Sequence, residues 1–181
     1  MNPAVLLIDM QELFLKDILE EHRKLIVSSQ LEVLTYCAET DIPVIVVEYK
    51  LIVPEKTIEC LLDKVQSVPR NRTAIKITDN AMLSGKPNVR RFLRGFDADY
   101  LVLMGIYASG CVFSTALTAL DKEYKISTSG DLISDDVNSD YVKMYPDNKF
   151  PILSDSLRFY KNDGDFFDSH QDLIAHLEAG R

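Results

Sequence analysis

The chain has 181 residues, of which 46% are hydrophobic, and this length and composition fit a single domain over residues 1–181 with a sizeable core. A formal net charge of -8 at pH 7 argues against a surface for nucleic acid or for an anionic membrane. Three widely spaced cysteines, no signal-peptide pattern and no apolar run of membrane-spanning length favour a cytoplasmic protein.

Apolar runs of strand length alternate along the chain with segments of helical spacing. Strands are predicted at 4–9, 43–49, 72–76, 99–106 and 124–128, with a short final strand at 150–153. Helices are predicted at 17–40, 55–66, 87–95, 111–123 and 168–179, the last with Asp168 or Ser169 as its N-cap. Apolar strands separated by helices are typical of a parallel sheet covered on both faces, and such sheets bind ligands beyond the carboxyl ends of their strands.

Cys111 is placed where a thiol can be reactive. It follows a predicted strand and a turn, and it opens the next predicted helix, where free N–H groups and the helix dipole stabilise a thiolate. The residue is therefore a candidate nucleophile, although a lone cysteine is more often a small buried hydrophobe. Cys37 and Cys60 are more simply interpreted as packing residues.

Two charged residues also stand at predicted strand ends. Asp9 closes the first strand and Lys76 closes the third, so both are expected at the same edge of the sheet as Cys111. A partly desolvated carboxylate can accept the thiol proton, and a nearby ammonium lowers the pKa of a thiol. The alternatives are that Asp9 caps the following helix and that Lys76 faces solvent. No histidine adjoins a strand end, and no phosphate-binding glycine motif is present, so no nucleotide cofactor is expected.

Four segments carry a resemblance to a known family. They are AVLLIDMQELF (4–14), IPVIVVEYK (42–50), AIKITDNAML (74–83) and LVLMGIYASGCVFSTALTALDKEYKI (101–126), followed by Gly130-Asp131. In order and spacing, over residues 3–135, the chain resembles the isochorismatase-like cysteine hydrolases, which include nicotinamidases, N-carbamoylsarcosine amidohydrolases and isochorismatases.

The resemblance implies a three-layer, doubly wound (Rossmann-like) six-stranded parallel sheet with helices on both faces. It also implies a catalytic triad of Asp9, Lys76 and Cys111, in which the cysteine attacks a carbonyl, the aspartate acts as base and then as acid, and water hydrolyses a thioester. By the same resemblance the Ile106–Tyr107 peptide bond is cis, and the N–H groups of Tyr107 and Cys111 face the developing oxyanion.

The chain departs from the family around the expected pocket. Nicotinamidases carry an Asp-x-His metal motif where this chain has Glu48-Tyr49-Lys50, so no metal is expected and nicotinamide is disfavoured as substrate. The usual aromatic residue after the lysine loop is replaced by Met82, and the usual small residue at the cis bond by Tyr107. Candidate pocket-lining residues are Phe14, Glu48, Met82 and Tyr107.

The leading prediction is a metal-independent cysteine hydrolase of a small amide or carbamoyl-type C–N substrate, with no cofactor. Two alternatives remain open: an isochorismatase-type vinyl-ether hydrolase, and a non-catalytic oligomeric binding scaffold on the same fold. The expected partners are a small-molecule substrate and further copies of the chain in a dimer or tetramer, with no nucleic acid and no membrane.

Overall fold

The computed structural model describes residues 1–50, 55–83, 87–137, 144 and 149–180. Within these ranges seven strands form one sheet, and every pair of neighbouring strands is parallel. The strands are β1 (Pro3–Ile8), β2 (Val44–Tyr49), β3 (Asn71–Lys76), β4 (Tyr100–Ile106), β5 (Lys125–Ser129), β6 (Ile133–Ser134) and β7 (Asp165–Phe167). Their order is β3-β2-β1-β4-β5-β7, and the short β6 pairs with the later part of β4.

Helices cover both faces of this sheet. They are α1 (Glu12–Leu15), α2 (Glu20–Thr40), α3 (Glu59–Gln66), α4 (Val89–Gly95), α5 (Cys111–Asp121), α6 (Ser154–Asp163) and α7 (His170–Ala179). One apolar core holds side chains of α2, α3 and α7, and the other holds side chains of α4, α5 and α6. The structure thus confirms the three-layer, doubly wound α/β fold, with six strands along the main path of the sheet.

Strand β1 lies at the centre of the sheet and is apolar on both sides. Val5 and Leu7 point into one core, whereas Leu6 and Ile8 point into the other. All four side chains are fully buried. Because successive side chains of a strand face opposite layers, a central strand between two helical layers has to be apolar throughout.

The predicted strand at 150–153 is wrong. These residues form no strand, and the carbonyl of Pro151 instead accepts a hydrogen bond of 2.7 Å from the N–H of Asp135, in the loop after β6. The outer strand on this side is β7, which pairs only with β5. Because β7 has three residues and begins with an exposed aspartate, it lacks the apolar run that marks the other strands.

Helix boundaries differ from the predictions mainly where few apolar residues are buried. Helix α6 was not predicted, because its sequence SDSLRFYKND is mostly polar and only Ser156 and Tyr160 are buried. The last helix begins later than predicted, and Ser169 is its N-cap, accepting a hydrogen bond from the N–H of Asp172. Within the described ranges, no helix combines the length and apolar character needed to cross a lipid bilayer.

Gly105 allows β1 and β4 to approach closely at their carboxyl ends. Its φ of +133° lies in a region that side chains with a Cβ rarely adopt. A Cβ on this residue would overlap the carbonyl oxygen of Ile8 on the neighbouring strand. The close approach brings the residues that follow the two strands to the same place at the edge of the sheet.

Candidate active site

Asp9, Lys76 and Cys111 stand at the carboxyl edge of the sheet, beyond or at the ends of β1, β3 and β4, with β2 lying between β3 and β1. Asp9 directly follows β1, Lys76 is the last residue of β3, and Cys111 is the first residue of α5, after β4. Asp9 adopts a left-handed backbone conformation with φ of +54°, and its N–H donates a hydrogen bond of 2.9 Å to the carbonyl of Val47. Aspartate tolerates this conformation better than most residues, and the chain turns sharply here.

The ammonium group of Lys76 joins the other two side chains. Its Nζ lies 2.7 Å from Oδ2 of Asp9 and donates a hydrogen bond of 3.1 Å to Sγ of Cys111. It also donates to the carbonyl of Thr78 at 3.1 Å and lies 4.7 Å from the centre of the Tyr49 ring. Lys76 is fully buried, so the alternative of a solvent-facing lysine does not hold. The structure brings the three predicted residues together.

Asp9 is a buried carboxylate with free acceptor capacity. It is 1% exposed, and apart from the ion pair with Lys76 neither of its oxygens has a hydrogen-bond partner among the described residues. Burial raises the pKa of Asp9 above its usual value, although the charge of Lys76 opposes this shift. A carboxylate with a raised pKa and an unused oxygen can accept a proton from a neighbouring group.

The surroundings of Cys111 disfavour an ionised sulfur, in contrast to the thiolate that its position in the sequence favours. Burial and the negative charge of Asp9 raise the pKa of Cys111 to about 12, and the nearby Lys76 only partly opposes them. Burial lowers the pKa of Lys76, but the charges of Asp9 and Cys111 outweigh it and raise that pKa overall. The environment therefore raises the pKa of all three groups, and it favours the neutral form of the thiol. In the sequence, the position of Cys111 at a helix start and the presence of Lys76 favour a thiolate. The sequence does not show that the thiol is buried or that it lies close to the negative charge of Asp9.

A cavity of about 320 Å³ opens above the sulfur of Cys111. Its lining residues are Asp9, Phe14, Tyr49, Asp79, Ile106, Tyr107, Gly110 and Cys111. Two of the predicted lining residues, Phe14 and Tyr107, are among them. The volume suits a small molecule, because typical ligand pockets begin at about 300 Å³.

Aromatic rings form one wall of this cavity. Phe14 contacts Tyr49 and Tyr107 edge to face, with ring centres 6.1 Å and 6.2 Å apart. Tyr107 therefore faces the pocket and narrows it, and its hydroxyl donates a hydrogen bond of 3.1 Å to the carbonyl of Phe14. Gln11 fixes the position of Tyr49, because its side chain accepts from the N–H of that residue at 2.7 Å and donates to its carbonyl at 3.2 Å.

Glu48 and Met82 do not line the cavity, and these two predictions are corrected. Glu48 is buried beside it, where Oε1 accepts from the N–H of Thr57 at 2.8 Å and Oε2 pairs with Nζ of Lys50 at 3.3 Å. Met82 is fully buried in the core between the sheet and α4–α6. Since alternate residues of a strand face opposite layers, the side chain that reaches the cavity from the end of β2 is Tyr49, one residue beyond Glu48.

The turn between β4 and α5 leaves two backbone donors open. The peptide bond between Ile106 and Tyr107 is cis. In the part of the chain that the structure describes, neither the N–H of Tyr107 nor that of Cys111 donates to an acceptor. The N–H groups of Ala108 and Gly110, by contrast, are bonded to the carbonyls of Ser134 and Tyr107 at 2.9 Å and 3.0 Å. The open donors are the two that were predicted to face an oxyanion.

Most of the chain matches the model of a known domain family. The family model for the isochorismatase domain matches residues 3–143. The chain belongs to the isochorismatase family. No curated protein matches the sequence of this family member significantly.

Solved structures share the fold of this isochorismatase family member. The MAR1 ribonuclease from Caenorhabditis elegans aligns with a TM-score of 0.75 at 18% identity, covering 96% of this chain and 79% of the other. An isochorismatase-like hydrolase from Alkaliphilus metalliredigens aligns at 0.73 and 17%, covering 98% and 99%. The N-carbamoylsarcosine amidase from Thermoplasma acidophilum aligns at 0.67 and 19%, covering 92% and 95%. At identities this low, the structural alignments show only that these proteins and this chain have a common fold, that of the isochorismatase-like hydrolases.

Sequence reasoning missed two acidic residues at the site of this isochorismatase family member. Asp79 lies on the loop after β3, and its Oδ1 is 4.0 Å from Sγ of Cys111. Asp135 follows β6 and holds the cysteine turn, accepting from the N–H and the hydroxyl of Ser109 at 2.7 Å each and from the N–H of Leu153 at 2.8 Å. Both follow strands, which was the signal that identified Asp9, but polar loop residues are common and nothing distinguished these two. No group of three potential metal ligands occurs among the described residues.

Proposed function

We propose that this isochorismatase family member is a cysteine hydrolase of a small amide or carbamoyl compound, working without a metal. One observation carries the proposal: the buried Lys76 contacts both Asp9 and Cys111, two residues that line the cavity. A nucleophile, a base and a fixed positive charge are the groups that acyl transfer requires. Nζ of Lys76 lies 2.7 Å from Asp9 and 3.1 Å from Cys111, so its charge can stabilise negative charge on either group without rearrangement.

In the proposed first step, Sγ of Cys111 attacks the carbonyl carbon of the substrate. The S–C bond forms, the thiol proton passes to the carboxylate of Asp9, and the carbonyl electron pair moves onto oxygen. A thiol with a raised pKa is a poor nucleophile until its proton leaves, so the adjacent unpaired carboxylate oxygen is essential to this step. The open N–H groups of Tyr107 and Cys111 are the donors proposed to bind the oxyanion.

The tetrahedral intermediate then collapses. The C–N bond breaks, Asp9 returns its proton to the leaving nitrogen, and a thioester on Cys111 remains with ammonia or an amine as the first product. Water attacks the thioester and gives one proton to Asp9. The C–S bond breaks, Asp9 protonates the sulfur, and a carboxylic or carbamic acid leaves.

Lys76 has a different role from the other two residues in this scheme. Its positive charge is matched at each stage by one negative charge, on Asp9 at rest and on the oxyanion or sulfur during reaction. Because the cation is buried and held by hydrogen bonds, it stabilises these charges without moving.

A single-turnover assay with excess enzyme tests the proposal on a panel of small primary amides and ureido compounds, with ammonia release as the readout. We expect Cys111→Ala to lower the rate by at least about 10³-fold, as loss of a covalent nucleophile does. Cys60→Ala is the matched control, because Cys60 is an exposed free cysteine outside the cavity, and it should react like the wild type. Intact mass after acid quench should show an acyl adduct only when Cys111 is present.

Equal ammonia release by the wild type and Cys111→Ala would reject the covalent route. A wild-type protein that hydrolyses none of the panel and forms no adduct would favour the scaffold alternative.

A further inference from the structure

The cavity above Cys111 carries a net negative charge. Asp9 and Lys76 compensate each other at 2.7 Å, so the charge that remains on the lining is that of Asp79. The Asp79 side chain is exposed, and within the described ranges it forms no ion pair with a lysine, arginine or histidine. Lys76 is the one basic side chain that touches the reacting groups there, and it is already paired.

The carboxylates of Asp9 and Asp79 supply acceptors on the lining, and the hydroxyl of Tyr107 already donates to the carbonyl of Phe14. Asp9 is 1% exposed, and apart from the ion pair with Lys76 its two oxygens have no hydrogen-bond partner among the described residues. Asp79 adds a second carboxylate within 4.0 Å of the sulfur. The open donors are backbone N–H groups at the cysteine turn, where the carbonyl oxygen of a substrate belongs. A ligand that satisfies the rest of the cavity therefore brings donors of its own.

The remaining wall and the mouth favour a cation as well. Phe14, Tyr49 and Tyr107 present aromatic rings, whose faces attract positive charge. Burial raises the pKa of Tyr107 to about 12, and the negative charges of Asp17 and Asp136 act on this residue in the same direction. These acidic groups would repel a carboxylate on a ligand. The described part of the site has no unpaired cation that could bind it.

We propose that the site selects small amides that carry a positively charged amine, and that Asp79 binds this amine while the amide carbon lies at Sγ of Cys111. That the ligand is an amide rests on the proposed function, but the charge preference of the cavity can be measured separately. Asp79 is a specificity residue in this scheme. Its distance from the sulfur leaves room for one or two carbon atoms between the amine and the carbonyl.

Alkylation of Cys111 by three reagents of different charge tests the preference without any turnover. The reagents are 2-bromoethylammonium, iodoacetamide and iodoacetate, and each rate is divided by the rate of the same reagent with 2-mercaptoethanol. Because the same thiolate attacks all three reagents, the thiolate fraction cancels in their ratios. Peptide mass spectrometry reports Cys111 separately from Cys60, which is exposed and serves as a second reference.

We expect a normalised cation-to-anion ratio at Cys111 of about tenfold or more, which Asp79→Asn lowers at least about fivefold. Asp63→Asn removes the same charge from the exposed face of α3, away from the cavity, and should leave the ratio unchanged. A normalised ratio of one or less in the wild type, or a ratio that Asp79→Asn does not change, would overturn the proposal.

Three amides of matched size complete the test: 3-aminopropanamide, butanamide and succinamate. We expect kcat/KM to fall in that order, and Asp79→Asn to lower the preference for 3-aminopropanamide over butanamide. If the kcat/KM values for butanamide and succinamate equal that for the cationic amide, the proposed charge preference is wrong, but the proposal that the protein is a hydrolase stands. If it hydrolyses none of them but alkylation follows charge, the proposed reaction is wrong and the cationic ligand stands.

Discussion

Nζ of Lys76 lies 2.7 Å from Oδ2 of Asp9, and both side chains are almost completely buried. Neither charge has solvent to stabilise it, so each depends on the other. The pair also acts on the pKa of Cys111: burial is the largest cause of its rise, Asp9 raises it further, and Lys76 lowers it. Removing either partner therefore has separate and predictable effects on stability and on reactivity.

Lys76→Met should destabilise the protein by about 3–5 kcal/mol at pH 8, because it leaves the Asp9 carboxylate buried without a partner. Lys76 is one of the groups that lower the pKa of Asp9, so this pKa rises further in the variant. A carboxyl whose pKa is higher in the folded than in the unfolded state stabilises the fold at low pH and loses that contribution as the pH rises. Urea unfolding should show the deficit shrinking from pH 8 to about pH 5. A deficit that stays constant over this range would contradict the ion-pair argument.

Asp9→Asn should make Cys111 more reactive towards iodoacetamide while it abolishes hydrolysis. The amide introduced by this substitution carries no charge, so a main cause of the raised thiol pKa disappears, and Lys76 is left to stabilise a thiolate. The alkylation rate at about pH 8 should rise, with the pH profile shifted to lower values. Cys60 in the same sample is the control, since it lies outside the cavity. Slower alkylation of Cys111 in this variant would show that Asp9 acts on the thiol in another way.

His170 should stabilise the fold more at low pH than at high pH. It is 4% exposed, and its ring nitrogens lie 2.7 Å from Oδ2 of Asp131 and 2.8 Å from Oε2 of Glu32. Burial lowers the pKa of His170, but the hydrogen bonds to Asp131 and Glu32 outweigh it, and the pKa is raised overall. Since the folded pKa lies above the unfolded value of 6.5, the contribution is complete below pH 6.5 and is lost as the pH rises through the folded value.

The free energy of unfolding of His170→Gln, compared with that of the wild type, measures this contribution. The difference should be larger at about pH 6 than at about pH 9. His176→Gln removes a more exposed histidine from the same helix and controls for the loss of a ring from α7. A difference that grows with pH would reverse the sign and refute the assignment.

Gly105→Ala should destabilise the protein by at least about 2 kcal/mol, because the new Cβ overlaps the backbone of Ile8 and the positive φ disfavours alanine. Thermal unfolding measures the loss. Gly95→Ala is the matched control, since a Cβ there has nothing within 4 Å, and it should change stability little. Equal effects of the two substitutions would mean that β1 can move away from β4.

The meeting of the three candidate residues could be predicted because they lie at the carboxyl ends of parallel strands. Asp9 and Cys111 follow buried strands and Lys76 closes the edge strand β3, and a parallel sheet brings these ends to one edge. The charge state of Cys111 could not be predicted, because it depends on burial and on the distance to Asp9. Tyr49 and Asp79 were missed for a similar reason: their side-chain directions are set by the sheet and the loop, and sequence spacing does not report them.

The outer part of the sheet was predicted least well. Strand β7 is short and partly exposed, and α6 buries few apolar side chains, so neither has a strong periodic pattern. The segment at 150–153 is apolar, but it packs over the sheet end through hydrogen bonds to the loop at Asp135 and does not pair as a strand. Apolar composition alone does not distinguish a segment that pairs as a strand from one that packs over the end of the sheet.

The position of β1 has a consequence for synthesis on the ribosome. Strand β1 emerges before both of its neighbours in the sheet, β2 and β4, and β4 begins only at Tyr100. Until β4 has been made, the backbone N–H and C=O groups along one edge of the apolar strand β1 have no partners. Such an edge is a template for pairing with another chain. Nascent chains shorter than this should therefore aggregate or recruit chaperones, and they have no sulfur nucleophile beside Asp9 until Cys111 has been added.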